Sequence, residues 1–329
     1  MNGDDRLNLF HLNDPSQIPQ TIAETVAKVE QAALRRLAEE TVRKKLYYHT
    51  EDHIRNVQRR SHQIFAAIAP ALVQEAYPEP IDLSRMELML NLCAVAHDMV
   101  QIFEPCGQHM PRRRKAGVSE IATIDQLVQY IHDLNQAIEQ QSSDSPARLT
   151  SRDIAVIREA ISATICAYDP EEQAIYQPLL YASDLYPTIV TRILALADLG
   201  ALGMDGIEVY NQEGSLLFLE ENPDVIALLC DGTIQQLEET NPTLAENVRQ
   251  RMLKRCCFQV NFAQSRLARF EQELQGFPDA AIPVLTNQTF QYMTPAIVHQ
   301  VETATPTAED TSLKELLTFF QFDRYLDCR

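Results

Sequence analysis

Two stretches of this chain carry side chains whose types and spacing suit metal chemistry. The first is Leu46-Tyr47-Tyr48-His49-Thr50-Glu51-Asp52-His53-Ile54-Arg55-Asn56-Val57, and the second is Leu92-Cys93-Ala94-Val95-Ala96-His97-Asp98-Met99-Val100. On a helix, His49 and His53 stand at i and i+4 on a single face, close enough to reach one ion, or the ion and its bound water. In the second stretch a His-Asp doublet closes an apolar run that should be buried. An ionised carboxylate beside an imidazole in such a place is costly unless a cation or hydrogen bonds compensate, so a metal is expected.

The words YHTEDH and AVAHD resemble the HD superfamily of metal-dependent phosphohydrolases, in which a Tyr-His-x-x-x-His segment precedes a buried His-Asp doublet and a distant helix donates a final Asp. The run Ile193-Leu194-Ala195-Leu196-Ala197-Asp198-Leu199-Gly200-Ala201-Leu202-Gly203 is similar to the family's Ala-Asp-Leu helix. The resemblance covers roughly residues 20 to 274 and implies an all-α HD-domain helical bundle. It implies His53, His97, Asp98 and Asp198 as metal ligands, with His49 at the position that donates a proton in the related cyclic-nucleotide phosphodiesterases. It also implies that an acidic residue on the helix after the doublet, here Glu120, faces the metal-bound water. The loop after the doublet borders the substrate in such proteins, and here it holds Arg112-Arg113-Arg114-Lys115, the densest basic cluster in the chain and one able to meet phosphate. Plainer readings stand beside these. Glu120 suits the positive N-terminal end of its own helix, and the basic run suits a solvated loop.

One departure narrows the chemistry. Ala160-Ile161-Ser162-Ala163-Thr164-Ile165-Cys166 resembles the helix on which many HD proteins carry histidines for a second metal, yet no histidine lies between His132 and His299. A single divalent ion is therefore expected. Imidazole and carboxylate ligands suit Mn, Fe, Co, Mg or Zn, with no thiolate to select zinc. Three or four protein ligands leave positions open for water and a phosphoryl oxygen. Asp184 competes for the last ligand position, but the proline three residues on suggests the first turn of a helix. Asp198 sits among Leu194, Leu196, Leu199 and Leu202, where an unpaired carboxylate is strongly disfavoured. On one helix the two would lie about 21 Å apart, and Asp198 is the choice.

The expected activity is hydrolysis of a small phosphate ester or nucleotide by metal-activated water. The alternative is a non-catalytic HD module that binds a nucleotide or a partner protein. A di-iron oxygenase ranks below both, since relatives of that kind need more histidines than are available.

The elements that must position these residues read as helices. The chain has 329 residues, 45% hydrophobic, with only nine glycines and abundant Ala, Leu, Gln and Glu. The net charge of −18 argues against general nucleic-acid binding, which is mostly electrostatic. Seven irregularly spaced cysteines suggest free thiols and a reducing compartment. Cys106 and Cys166 lie near the motifs and suit small core positions equally well. The N-terminus is acidic and no stretch approaches about 18 consecutive apolar residues, so a cytoplasmic protein without a membrane span is expected.

Residues 1–19 read as an arm able to pack through Leu9, Phe10 and Leu12, residues 20–276 as the HD-type helical domain, and 277–329 as a small C-terminal helical extension. Helical periodicity starts at Thr21, with Arg43-Lys44-Lys45 as a solvated helix end. The helix carrying His53 runs to Pro70, Ser84 caps the next one, and Val118 to Gln141 forms a long amphipathic helix. His132-Asp133, on the polar side of that helix, is a decoy doublet. Met204 to Phe218, with its glycines, reads as a loop near the site. Pro242 to Leu274 closes the bundle. The aromatic C-terminus suits docking on the bundle or on a second copy of the chain, a homodimer.

Overall fold

The computed structural model describes residues 18–74, 82–105, 107, 109–181 and 187–326. Its helices are α1 (Ile22–Lys44), α2 (Glu51–Gln74), α3 (Leu83–Ala96), α4 (Val118–Gln141), α5 (Ser151–Ser162), α6 (Ile189–Asp198), α7 (Ile207–Glu221), α8 (Pro223–Cys230), α9 (Leu237–Thr240), α10 (Pro242–Glu273), α11 (Ile282–Val284), α12 (Pro295–Ala304) and α13 (Leu313–Phe320). One antiparallel hairpin, β1 (Ala167–Asp169) with β2 (Ala174–Tyr176), is the only sheet among the described residues. The chain is all-α.

The doublet stretch becomes the axis of the bundle. Residues Leu92 to Ala96 of α3 are buried on every side, because α1, α2, α5 and α6 surround that helix. A side chain such as Leu90 or Leu92, fully withdrawn from water, contributes about 1.5–3 kcal/mol. Beyond Ala96 the chain leaves the helix into an extended stretch whose amides find partners on neighbouring elements. Val100 N–H donates to Thr123 Oγ1 (3.2 Å) and Ile102 N–H to Ser119 Oγ (3.0 Å), both on α4, while Gln101 N–H reaches Glu40 Oε2 on α1 (3.3 Å).

Several local expectations change. Asp82, not Ser84, caps α3, its side chain accepting from Arg85 N–H at 2.9 Å. Lys44 is not a solvated helix end, since it binds the buried Glu40 carboxylate and the Gln101 carbonyl. Most of Met204 to Phe218, expected as a loop, belongs to helix α7 (Ile207–Glu221). The glycines there serve geometry and packing: Gly206 precedes the helix at φ +89°, and a Cβ on Gly214 would fall 2.4 Å from Gln259 Nε2 on α10. Cys230 is disulfide-bonded, against the expectation of free thiols, whereas Cys93, Cys166, Cys256 and Cys257 are free. Leu9, Phe10, Leu12, Cys106 and Asp184 lie outside the described residues. No helix among the described residues is long and apolar enough to cross a membrane.

After α10, Phe277, Leu285, Phe290 and Met293 join the same core as α1 to α6. The terminal aromatics dock on the bundle. Phe320 and Phe322 each pack with Phe218 of α7 at a centroid distance of 5.4 Å and with each other at 5.1 Å, in a second core shared with α10. The tail thereby fixes α7, which carries residues of the site.

Candidate metal centre

The four expected ligands meet. His53 from α2, His97 and Asp98 from the end of α3, and Asp198 from the last position of α6 each offer an atom within 4.8 Å of the others. Each imidazole lies between two carboxylates. His53 Nε2 is 3.3 Å from Asp98 Oδ2 and 3.5 Å from Asp198 Oδ1, and His97 Nε2 is 3.2 and 3.6 Å from the same atoms. Neighbouring ligands on a cation with bonds of about 2.1 Å stand roughly 3.0–3.4 Å apart, so the cluster fits one ion. His97 Nδ1 donates to the Ala94 carbonyl (2.9 Å), which fixes the tautomer and turns the Nε2 lone pair inward. Both Nε2 atoms are buried and make no hydrogen bond. Orphaned buried nitrogens facing two carboxylates are what a cation would satisfy.

The electrostatics carry the same demand. Burial alone would drive the two imidazoles toward neutrality, yet Asp98 and Asp198 hold both above the ordinary histidine value, His97 well above. Conversely, against burial, the imidazoles of His97 and His53 keep Asp98 and Asp198 below the usual carboxylate range. The cluster requires positive charge at its centre, from protons or from a metal ion.

His49 arrives by a different route from the one its spacing suggests. It lies in the turn before α2, not on the helix. The backbone N–H groups of Tyr47, Tyr48 and His49 all donate to Glu220 Oε2 at 3.0–3.1 Å, so a carboxylate at the end of α7 shapes this turn. Glu220 Oε1 accepts from His49 Nδ1 at 2.5 Å, leaving His49 Nε2 3.8 Å from Asp98 Oδ2. Burial pushes the Glu220 pKa up, but His49 and Arg114 pull it down to about 2. Glu220 is therefore a buried anion that orients His49.

Glu120 stands in the first turn of α4, within the electrostatic reach of Asp98, Arg114 and His49. Burial and the Asp98 charge raise its pKa while its own backbone N–H and Arg114 oppose them. The basic cluster divides. Arg112 is a structural staple: its guanidinium donates to the carbonyls of Glu220, Lys44 and Lys45 and stacks 4.0 Å over Phe103. Arg113 and Lys115 are exposed. Arg114 is also open to solvent, but it sits among Asp98, Glu220, Glu120 and Glu221, which keep its guanidinium charged against desolvation. It is the cation at the mouth of the site.

Other residues support the cluster unannounced by the sequence. Gln101 Nε2 donates to Asp98 Oδ1 (3.0 Å) and its Oε1 accepts from Arg114 Nη1 (2.8 Å). Gln177 Nε2 donates to Asp198 Oδ2 (3.3 Å). Behind His53, Tyr48 packs at a centroid distance of 4.4 Å and donates to Glu213 (3.2 Å). Glu213 in turn pairs with the fully buried Arg60, which also binds Asp205. This network ties α2 to α7 and to the turn after α6. His132 and Asp133 are exposed and are not part of the cluster, Asp133 accepting from Gln129.

No family model matches this chain, and no curated protein or solved structure matches it either.

Proposed function

We propose that this chain is an HD-type metal-dependent phosphohydrolase acting on a small phosphate ester or nucleotide. The observation that carries the reading is the convergence of four ligand atoms from three buried residues and the part-buried Asp198, two of them orphaned imidazole nitrogens, on one point. A divalent ion held by His53, His97, Asp98 and Asp198, whether Mn, Fe, Co, Mg or Zn, would supply a Lewis acid and a water acidic enough to attack at neutral pH. The chain's own residues supply the rest. His49 presents Nε2 toward the ligands, and Glu220 accepts a hydrogen bond from its Nδ1 and so orients the ring, the arrangement of an acid that protonates a leaving oxygen. Arg114 spends Nη1 on Gln101, and the rest of this exposed side chain's donors can meet a phosphate oxygen. Glu120 is a further carboxylate able to hold a proton at this mouth. Asp98, Asp198, Glu120 and Glu220 outnumber Arg114, so an anionic substrate requires the cation first. The charge of −18 favours a small substrate over a nucleic acid.

The test is metal analysis of protein purified without chelator, followed by phosphatase and nucleotidase assays with added Mn, Co or Mg. His97→Ala and Asp98→Ala lose metal and turnover together, whereas His49→Ala keeps metal and loses rate. Full metal stoichiometry in the doublet variants overturns the ligand assignment. Metal binding without turnover of any phosphate ester leaves the non-catalytic nucleotide- or partner-binding module as the reading.

A further inference from the structure

We infer that Gln101 and Gln177 are paired positioning residues that restrict Asp98 and Asp198 to one ligand oxygen each. The inference rests on the metal reading above. Both amides are buried, Gln101 at 0% and Gln177 at 1% exposure. Each donates Nε2 to one carboxylate oxygen: Gln101 to Asp98 Oδ1 at 3.0 Å and Gln177 to Asp198 Oδ2 at 3.3 Å. The oxygens left over, Asp98 Oδ2 and Asp198 Oδ1, are the two that face His53 and His97. The pattern repeats on two aspartates from different helices, through glutamines from different loops.

The chemistry of the partners fixes which way each amide points. A carboxylate only accepts, so Nε2 must face it, and at Gln101 the guanidinium of Arg114 only donates, so Oε1 must face that. An oxygen already bound to an amide N–H is turned away from the centre and is a poorer second ligand. Each aspartate then fills one coordination position, and the positions a chelating carboxylate would take stay open for water and a phosphoryl oxygen. Gln101 also joins the substrate-facing Arg114 to a metal ligand through one amide, so the anion-binding group and the metal are held in a fixed relation.

The decisive measurement is cation binding rather than turnover. Mn(II) affinity is titrated by EPR, and the visible absorption of bound Co(II) recorded, for the full chain and for Gln101→Met, Gln177→Met, Gln101→Glu and Gln177→Glu. The Met variants keep the volume and lose the donor, and their Mn(II) affinity is expected to fall about 10- to 100-fold. The Glu variants set carboxylate against carboxylate and are expected to lose more. The Co(II) absorption per ion is expected to weaken in the Met variants as a second oxygen raises the coordination number. Unchanged affinity and spectrum in both Met variants overturn the inference while the metal reading stands. A wild-type chain that binds neither ion overturns both. Should one Met variant fail to fold, the near-isosteric Glu variant at that position and the Met variant at the other decide between these outcomes.

Discussion

His97-Asp98 and His132-Asp133 are one dipeptide in opposite surroundings. The first closes α3, a helix walled by four others, and its imidazole is 1% exposed beside a second, part-buried aspartate. The second lies midway along α4 with both side chains in water, where solvent and Gln129 satisfy them. Desolvation separates the two: a carboxylate in water needs nothing, and one withdrawn from it needs a counter-charge. The doublet is a site only where the fold removes its water.

Substitution can break this comparison. The largest effect is expected at the buried copy: His97→Ala or Asp98→Ala lowers divalent-metal affinity by more than about 100-fold, beyond what a residue outside the ligand set costs. His132→Ala and Asp133→Ala leave calorimetric titrations unchanged. Comparable losses at the two doublets would remove burial as the cause.

Next comes the orienting carboxylate. Under the proposed hydrolase, Glu220→Gln lowers kcat about 10²- to 10³-fold, in the range of general acid catalysis, and metal analysis finds the ion retained. An unchanged rate would mean that His49 is not the acid.

The pH dependence sharpens the comparison without any substitution in the cluster. His53 and His97 have raised pKa values in the folded state, so their protonated forms stabilise the metal-free protein below about 6.5, and that contribution is lost as pH rises through the folded-state values. In chelator, Tm should therefore fall above that pH, and added Mn(II) should restore more of it the higher the pH, since neutral imidazoles are the ligands. A metal increment in Tm that is flat with pH would count against imidazole ligation. On the acid side, Glu220, with its pKa at about 2, stabilises above the ordinary glutamate value and loses that contribution as pH falls toward 2. The amount is on the order of 3 kcal/mol, and Glu220→Gln should flatten that limb of the stability profile.

The smallest effects separate the basic cluster. Arg114→Ala is expected to raise KM about 10-fold through loss of a charge-assisted contact to phosphate. Arg112→Ala lowers stability by about 1–3 kcal/mol, because the part-buried carbonyls of Glu220 and Lys44 lose their donor, and steady-state kinetics on Arg113→Ala and Lys115→Ala stay within about twofold of wild type.

Much of this is legible in the chain because it is local. The period of Ile22, Val26, Val29 and Leu37 is α1, and Val118 to Gln141 is α4 to the residue. His53, His97, Asp98 and Asp198 can be named because the words that carry them resemble a known ligand pattern, and for the doublet and Asp198 apolar neighbours add that the carboxylate leaves bulk water. Helix α7 is not legible, since glycine reads as a loop residue when the Gln259 side chain filling the space above Gly214 is unknown. Glu220 is lost with it: it lies near the end of that helix, 171 residues from the histidine it holds. The turn at His49 escapes for the same reason, because three backbone amides bind Glu220 instead of continuing α2 upstream.

The sequence by itself determined the helical class, the charge balance and that the His97-Asp98 doublet would be taken out of water, since periodicity and composition set those through short-range preferences. Only the tertiary structure decided which carboxylate oxygen faces the centre, which of four cations stands at its mouth and which distant glutamate aims His49. Those choices are made by contacts between side chains far apart in the chain, where hydrogen-bond direction and the loss of water carry the energy.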